Sequence, residues 1–268
     1  MAQMEEIDIR SAIERIKKQG KTFSNIYSDE VLKKAESFIA NSRAIVFTYT
    51  DQGVRRLHYC FNEADDFSEL LSSDFIQVDG NTVIEVMTRD ENENKATFES
   101  AGLTRIAGMM RMSVKDWQIA AEENNIGAYY DSAIGSIPGA EMAEAINKTL
   151  WSIFDTRVSH LQNDEEIAEA ISRGEITVHS NENDVIDAIL QVQMQPKKFY
   201  INQVYNGTEK GVIHAMLQNR LKEYTSRGGK YVFAWVEKEN IASVKFHEKY
   251  GLKHDGMWNM VYAGVQKK

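Results

Sequence analysis

YVFAWVEKENIASVKFHEKYGL, residues 231–252, is the stretch from which the rest of the chain is read. Residues 231–236 (YVFAWV) make an apolar run rich in β-branched and aromatic side chains, the pattern of a buried strand. The period then changes. Ile241, Val244, Phe246 and Tyr250 put apolar groups on one side of a helix, with Lys238, Glu239, Lys245 and Glu248 mostly elsewhere. Gly251 can end that helix in the left-handed region. The stretch predicts strand, short loop, helix and glycine stop, followed by another strand over residues 258–262.

Composition bounds what such a unit can belong to. The chain has 268 residues, 43% hydrophobic, with two prolines, enough for one large or two small domains and unlike a collagenous or disordered chain. Its apolar runs fall short of the roughly 20 residues that a membrane-spanning helix needs, so no membrane partner is expected. The start, MAQMEEIDIR, carries early acids and no apolar core, so no export signal is expected. A lone cysteine, Cys60, cannot form an internal disulfide, which fits a reducing cytoplasm. A net charge of −9 repels phosphate backbones, making nucleic acid a poor partner, whereas a small cationic amine would be attracted.

Asn240, Ser243, Phe246, Glu248, Lys249, Gly251 and Leu252 resemble the N-x-x-A-x-x-F-Y-E-K-x-G-F signature near the C-terminus of the GNAT acetyltransferases. The resemblance implies a splayed parallel strand pair that receives acetyl-coenzyme A as co-substrate without a metal. An amine acceptor, a small molecule or peptide, enters from the opposite side. Two positions depart from the signature. Ser243 stands where Ala is usual, and His247 stands where the family has a Tyr that can protonate the departing thiolate.

Upstream, residues 206–217 (NGTEKGVIHAML) run from a strand end into a helix, where unpaired backbone amides suit a pyrophosphate. Lys210-Gly211-Val212 with Ala215-Met216-Leu217 resembles the family's R-G-K-G-I-G-x-A-L-L loop. Thr208 replaces the usual Arg or Gln, Ile213 replaces a second Gly or Ala and would crowd a phosphate, and the loop is about three residues short of the family's. Carried over residue by residue, the resemblance implies cofactor contacts at Val204, Tyr205, Lys210, Gly211, Val212, Asn240, Ser243 and Phe246. It also implies an oxyanion-binding amide near Val204 or Tyr205, and His247 as the general acid. An ordinary surface histidine is the other reading of His247. The general base stays open among Asp187, His214, His160 and a water chain held by Tyr200 and Asn202.

Earlier in the chain the same order recurs. Ile9, Ile13 and Ile16 have helical spacing, and Ser28 can cap a second helix over Val31, Leu32, Ala35 and Phe38. Residues 44–50 and 54–61 read as a hairpin turning at Asp51-Gln52-Gly53. A helix over 65–72, a strand over 82–88, a helix over 94–101, Gly102-Leu103 and a Met-rich strand to Met112 follow. Placing Gly102 on Gly251 brings Glu99 onto Glu248 and Leu103 onto Leu252, which suggests an internal repeat. The first copy lacks the chemistry. Its loop Phe61-Asn62-Glu63-Ala64-Asp65-Asp66 has three acids and no glycine, and Phe98 takes the place of the family Tyr.

Residues 113–137 read as the connection, with 128–131 as a first strand of the second copy. Pro138 suits the first turn of a helix lined by Met142, Ile146, Leu150, Ile153 and Phe154, and Asp164 starts another helix to Ile171. Asp155, Arg157 and His160 between them are either acceptor-side contacts or a solvated helix end. Strands over 175–179, 185–193 and 198–205 complete an antiparallel meander.

The expectation is an α/β chain, strictly a mixed α+β sheet type, of two GNAT-like domains. Residues 1–116 would be a degenerate copy without a cofactor site, and residues 117–268 an acetyl-coenzyme A-dependent N-acetyltransferase. A catalytically silent protein that binds coenzyme A or a metabolite as sensor or scaffold is the alternative. An aminoacyl or long-chain acyl transferase is a third reading.

Overall fold

The isoleucine stripe Ile9, Ile13 and Ile16 folds as helix α1 (Glu6–Lys17) and is buried in a cluster with Ile45, Phe47 and Cys60. The computed structural model describes residues 6–72, 76, 78–123, 135–208 and 210–265. After α1 come a two-residue strand β1 (Phe23–Ser24) and α2 (Glu30–Lys33). The helix expected from Ser28 lasts a single turn, because the chain from Ser37 is taken into a sheet. Strand β2 (Ser37–Ala40) lies antiparallel to β3 (Ala44–Asp51), with Phe38 opposite Phe47. Phe38 is therefore a strand residue.

β3 returns as β4 (Val54–Phe61) through Gln52 at φ 52° and Gly53 at φ 79°. Two consecutive positive φ values match the twist of the flanking strands, which is why Gly stands there. Helix α3 (Ala64–Ser72), strand β5 (Thr82–Thr88), helix α4 (Lys95–Ser100) and strand β6 (Leu103–Val114) follow as expected.

Beyond α5 (Trp117–Glu123), the strand expected over residues 128–131 lies outside the described residues. Pro138 precedes a 3-10 turn (Ala140–Met142), so it stands before α6 (Ala143–Ile153) and not in its first turn. Ile146 and Leu150 face the core, whereas Ile153 is 45% exposed and leaves the expected stripe. Asn163 caps α7 (Asp164–Ser172) in a reciprocal box with Glu166. Then come β7 (Ile176–Ser180), β8 (Ile186–Gln195), β9 (Lys198–Asn206), α8 (Lys210–Ser226), β10 (Tyr231–Glu237), α9 (Ile241–Lys249) and β11 (Lys253–Gly264). Gly251, at φ 75°, closes α9 with both bonds of a Schellman cap: Leu252 N–H donates to His247 O at 3.2 Å and Gly251 N–H to Glu248 O at 2.9 Å.

The chain divides into two compact units, Met1–Gly108 with Met257–Lys268, and Met109–Gly256. The strand order in the first is β2-β3-β4-β5-β11, and in the second β7-β8-β9-β10-β6. Within each, neighbours are antiparallel except the central pairs β4/β5 and β9/β10, which are parallel. The division expected at 116/117 is thus not a single cut. β6, the strand after α4, pairs with β10, and β11, the strand after α9, pairs with β5.

The first unit's core is aromatic. Tyr59, Phe61, Phe67, Phe98 and Tyr262 are buried, and the ring centroids of Phe98 and Tyr262 lie 4.9 Å apart. In the second unit Leu190, Phe199, Ile201, Val232 and Ala234 pack beneath Ile213 and Leu217 of α8. Ile189 and Val178 pack on the other face beneath α6 and α7.

Candidate cofactor cleft of the second unit

β9 carries one residue more than β8 opposite it. Gln191 faces Gln203 and Val192 faces Ile201, so Asn202 bulges out of the ladder. On the other edge, β9 pairs with β10 from Lys198↔Tyr231 to Ile201↔Ala234 and no further. The parallel pair therefore opens at the bulge. Among the described residues, the β9 edge has no strand partner on that side from Asn202 onward, which leaves backbone donors and acceptors for an extended ligand. Val204 and Tyr205 both lie on this opened stretch.

The cleft runs towards the start of α8. Gly207 N–H donates to Asp187 O at 2.7 Å and Asn206 Nδ2 to Thr208 O at 3.3 Å, which ties the loop to β8 before the helix begins. Lys210 opens α8, with Gly211 and Val212 in its first turn, so the amides of residues 210–212 have no helical acceptor. No acid lies in that first turn. An anion is favoured there by the helix dipole and by the free amides together. Ile213 is buried in the core beneath α8, so the crowding expected of it does not arise.

The signature residues on α9 hold the helix itself. Asn240 Oδ1 accepts the Ser243 N–H at 3.0 Å, an N-cap. The Phe246 ring packs at 4.9 Å from His214 and 5.5 Å from Tyr250. Tyr250 is buried, its hydroxyl 2.8 Å from His214 Nδ1, and so locks α9 to α8.

His247 is 4% exposed, so it is not a surface residue. Its Nδ1 lies 2.8 Å from Ser243 O. A carbonyl offers only lone pairs, so Nδ1 carries the hydrogen and the neutral ring presents Nε2 as an acceptor. Nε2 is buried without a hydrogen-bond partner. Burial lowers the His247 pKa to about 4, so at neutral pH no imidazolium stands there to act as the expected acid.

The candidates for the base separate in the same way. Asp187 Oδ1 is engaged by His179 Nδ1 at 2.6 Å, and burial lowers the His214 pKa to about 4, with Lys249 adding to it. His160 is exposed on a loop where Asp155 and Arg157 pair with each other at 2.7 Å. Tyr200 and Asn202 alone flank the point where β9 and β10 part.

Residues invisible to the sequence reading line the opposite face. Tyr231, Phe233 and Trp235 alternate with the core residues Val232, Ala234 and Val236 and so point away from α8. The Tyr200 and Phe233 rings stack at 4.8 Å. The Arg111 guanidinium sits 5.9 Å from the Trp235 ring centre, and Arg111 Nε and Ser113 Oγ donate to Asp255 Oδ2 at 2.7 and 3.0 Å. Only a spacing of 142–144 residues separates these partners from legibility. Among the described residues no group of three or more acidic, His or Cys side chains is placed to hold a metal, and no helix is long and apolar enough to cross a membrane.

No model of a known protein family matches the sequence, and no curated protein matches it. Solved structures do. A tandem GNAT protein from the clavulanic acid biosynthesis pathway superposes with a TM-score of 0.55 at 9% identity, over 97% of this chain and 96% of that one. A GCN5-related N-acetyltransferase from Sphaerobacter thermophilus gives 0.55 at 12% identity over 90% and 88%. A GNAT-family acetyltransferase from Colwellia psychrerythraea gives 0.51 at 12% identity over 98% and 97%. At such identities the likeness is one of architecture: a mixed sheet flanked by helices, in the fold of the GNAT acetyltransferases.

Proposed function

We propose that the second unit is an N-acyltransferase that takes acetyl-coenzyme A in the β9/β10 cleft and passes the acyl group to an amine, and that the first unit is a degenerate copy without this activity. The observation that carries the reading is the bulge at Asn202, where the parallel pair opens towards a helix whose first turn holds no acid. The backbone of residues 202–205 binds the pantetheine arm, and the amides of residues 210–212 hold the pyrophosphate. The thioester, when bound, supplies the activated acyl group.

The chain's own residues then bind and orient. Backbone amides on the opened β9 stretch stabilise negative charge on the carbonyl oxygen. The face of Tyr200, Phe233 and Trp235 receives the acceptor. Tyr200 and Asn202 hold a water that passes the amine's proton to solvent as the C–N bond forms, while the C–S bond breaks and coenzyme A leaves as its thiolate. His247, neutral and bonded through Nδ1 to Ser243 O, gives no proton to the thiolate. Positioning of this kind supplies much of the rate even without a side-chain acid.

A silent coenzyme A-binding protein is the second reading, favoured by the neutral, buried His247 and by the engagement of Asp187 and His214. Calorimetric titration with acetyl-coenzyme A, followed by a panel of amines, separates the two. The expected result is one site per chain and turnover with at least one amine. One site without turnover moves the protein to the second reading, and no binding at millimolar ligand overturns both.

A further inference from the structure

We propose that the cleft between β4 and β5 of the first unit is a binding site for an extended, amide-bearing chain, and that residues 23–27 of this same protein occupy it. β4 and β5 pair in parallel only at Arg55↔Thr82 and Arg56↔Val83, then part as β9 and β10 do. Between the parted strands lies Asn25, 2% exposed. Its Oδ1 accepts the Tyr59 N–H at 2.8 Å. Its Nδ2 donates to Leu57 O on β4 at 3.0 Å and to Glu85 O on β5 at 3.1 Å. Two residues on, the Tyr27 hydroxyl accepts the Met87 N–H of β5 at 2.7 Å. Upstream, Phe23 and Ser24 pair with Phe61 and Cys60, and the Phe23 ring stacks on Phe61 at 5.4 Å.

One carboxamide thus bridges the two strand edges that an ordinary ladder would join directly. A primary amide offers the donor and the acceptor of a peptide group, so the edges are satisfied without β4 and β5 meeting. Leaving those buried groups unmade would cost about 1–3 kcal/mol each, which makes occupancy of the cleft a condition of its shape. The ligand class that matches is an unbranched chain carrying amides and no charge. Pantetheine, the phosphate-free arm of coenzyme A, belongs to it. Phosphates are disfavoured, because Asp65 and Asp66 stand in the first turn of α3 where the second unit has no acid. The inference rests on the reading that the second unit's cleft takes that arm.

The test uses the full chain. Asn25→Asp keeps size and shape but sets an oxygen against the Leu57 and Glu85 carbonyls. Amide hydrogen exchange at Tyr59 and Met87 should then rise about tenfold or more, while amides of β9 and β10 keep their rates. Millimolar pantetheine should slow Tyr59 and Met87 again, and acetyl-coenzyme A should not. Unchanged exchange at both amides, or no effect of pantetheine, overturns the proposal. Should Asn25→Asp unfold the unit, so that the β3 amides exchange as well, Tyr27→Phe decides: Met87 alone should accelerate, reversibly with pantetheine, and an unaltered Met87 overturns the proposal. Titration of the unaltered protein with acetyl-coenzyme A reports on the second unit independently. Its failure beside the expected exchange pattern would sink the acyltransferase reading and leave the filled cleft standing.

Discussion

The two clefts start from one device and end with different contents. In each unit a hairpin strand is followed by a helix and then by a strand parallel to the first, and in each the parallel pair parts after a few residues. In the first unit, Asn25 and Tyr27 bridge the gap, and Asp65 and Asp66 guard the helix start. In the second, a bulge at Asn202 opens the gap and the first turn of α8, residues 210–213, holds no acid. On the proposed reading, strand topology alone does not make a cofactor site. What the gap contains, and the sign of the charge at the helix that follows, decide it.

The sharpest way to break this contrast is to give the second unit the first unit's charge. Gly211→Asp puts a carboxylate in the first turn of α8, as Asp65 and Asp66 stand in α3, and acetyl-coenzyme A should bind about 100-fold more weakly by calorimetry. Affinity kept within threefold would show that acids are not what separates the units.

A smaller effect comes from the helix position that Phe98 and His247 share. Phe98 is fully buried and apolar, whereas His247 is buried with a pKa held at about 4 against an ordinary 6.5. As pH falls below 6.5 the unfolded chain takes up this proton first, so stability is full above that pH and declines down to about 4. The decline is worth roughly 3 kcal/mol. His214, shifted in the same direction, adds to the slope. His247→Phe should flatten the acid limb of a urea-midpoint profile while cofactor affinity stays nearly unchanged. Superimposable profiles would place His247 in water, against its burial.

Smallest is the test of the shared stop. Gly102 and Gly251 end α4 and α9 at φ 80° and 75°. Alanine at either should cost about 1–2 kcal/mol, since a Cβ is disfavoured there. Thermal melts of Gly102→Ala and Gly251→Ala should therefore show losses of similar size. A cost-free Gly102→Ala would reduce the repeat to a coincidence of spacing.

Local chemistry made much of the fold legible. The Asp51-Gln52-Gly53 turn, the Gly251 stop, the meander and the start of α8 at Lys210 are each set by residues a few positions apart. Two things were not local. β6 and β11 each follow a glycine stop, each have 12 residues, and both are rich in Met. Nothing in either strand names its neighbour, so the pairing is decided by tertiary packing. Asn25 sits in a short irregular segment whose hydrogen-bond partners lie 32–60 residues away, and a single Asn there carries no periodic signal. His247 was legible as a departure but not in its consequence, since its chemistry depends on burial that only the packed helix shows.

The pairing of β11 with β5 also sets an order of events at synthesis. The first unit needs β11, from the far end of the chain, to cover β5, and residues 109–256 must be made before it exists. At ~5–20 residues per second a ribosome leaves β5 without that neighbour for roughly 7–30 s. During that interval the exposed edge can pair with the wrong strand, and the nearest candidate in the sequence is β6. The second unit has no such wait, because β6 is already present when β10 emerges. Newborn chains stalled before residue 257 should therefore carry a finished second unit beside an unfinished first, the reverse of the usual N-to-C sequence of domain folding.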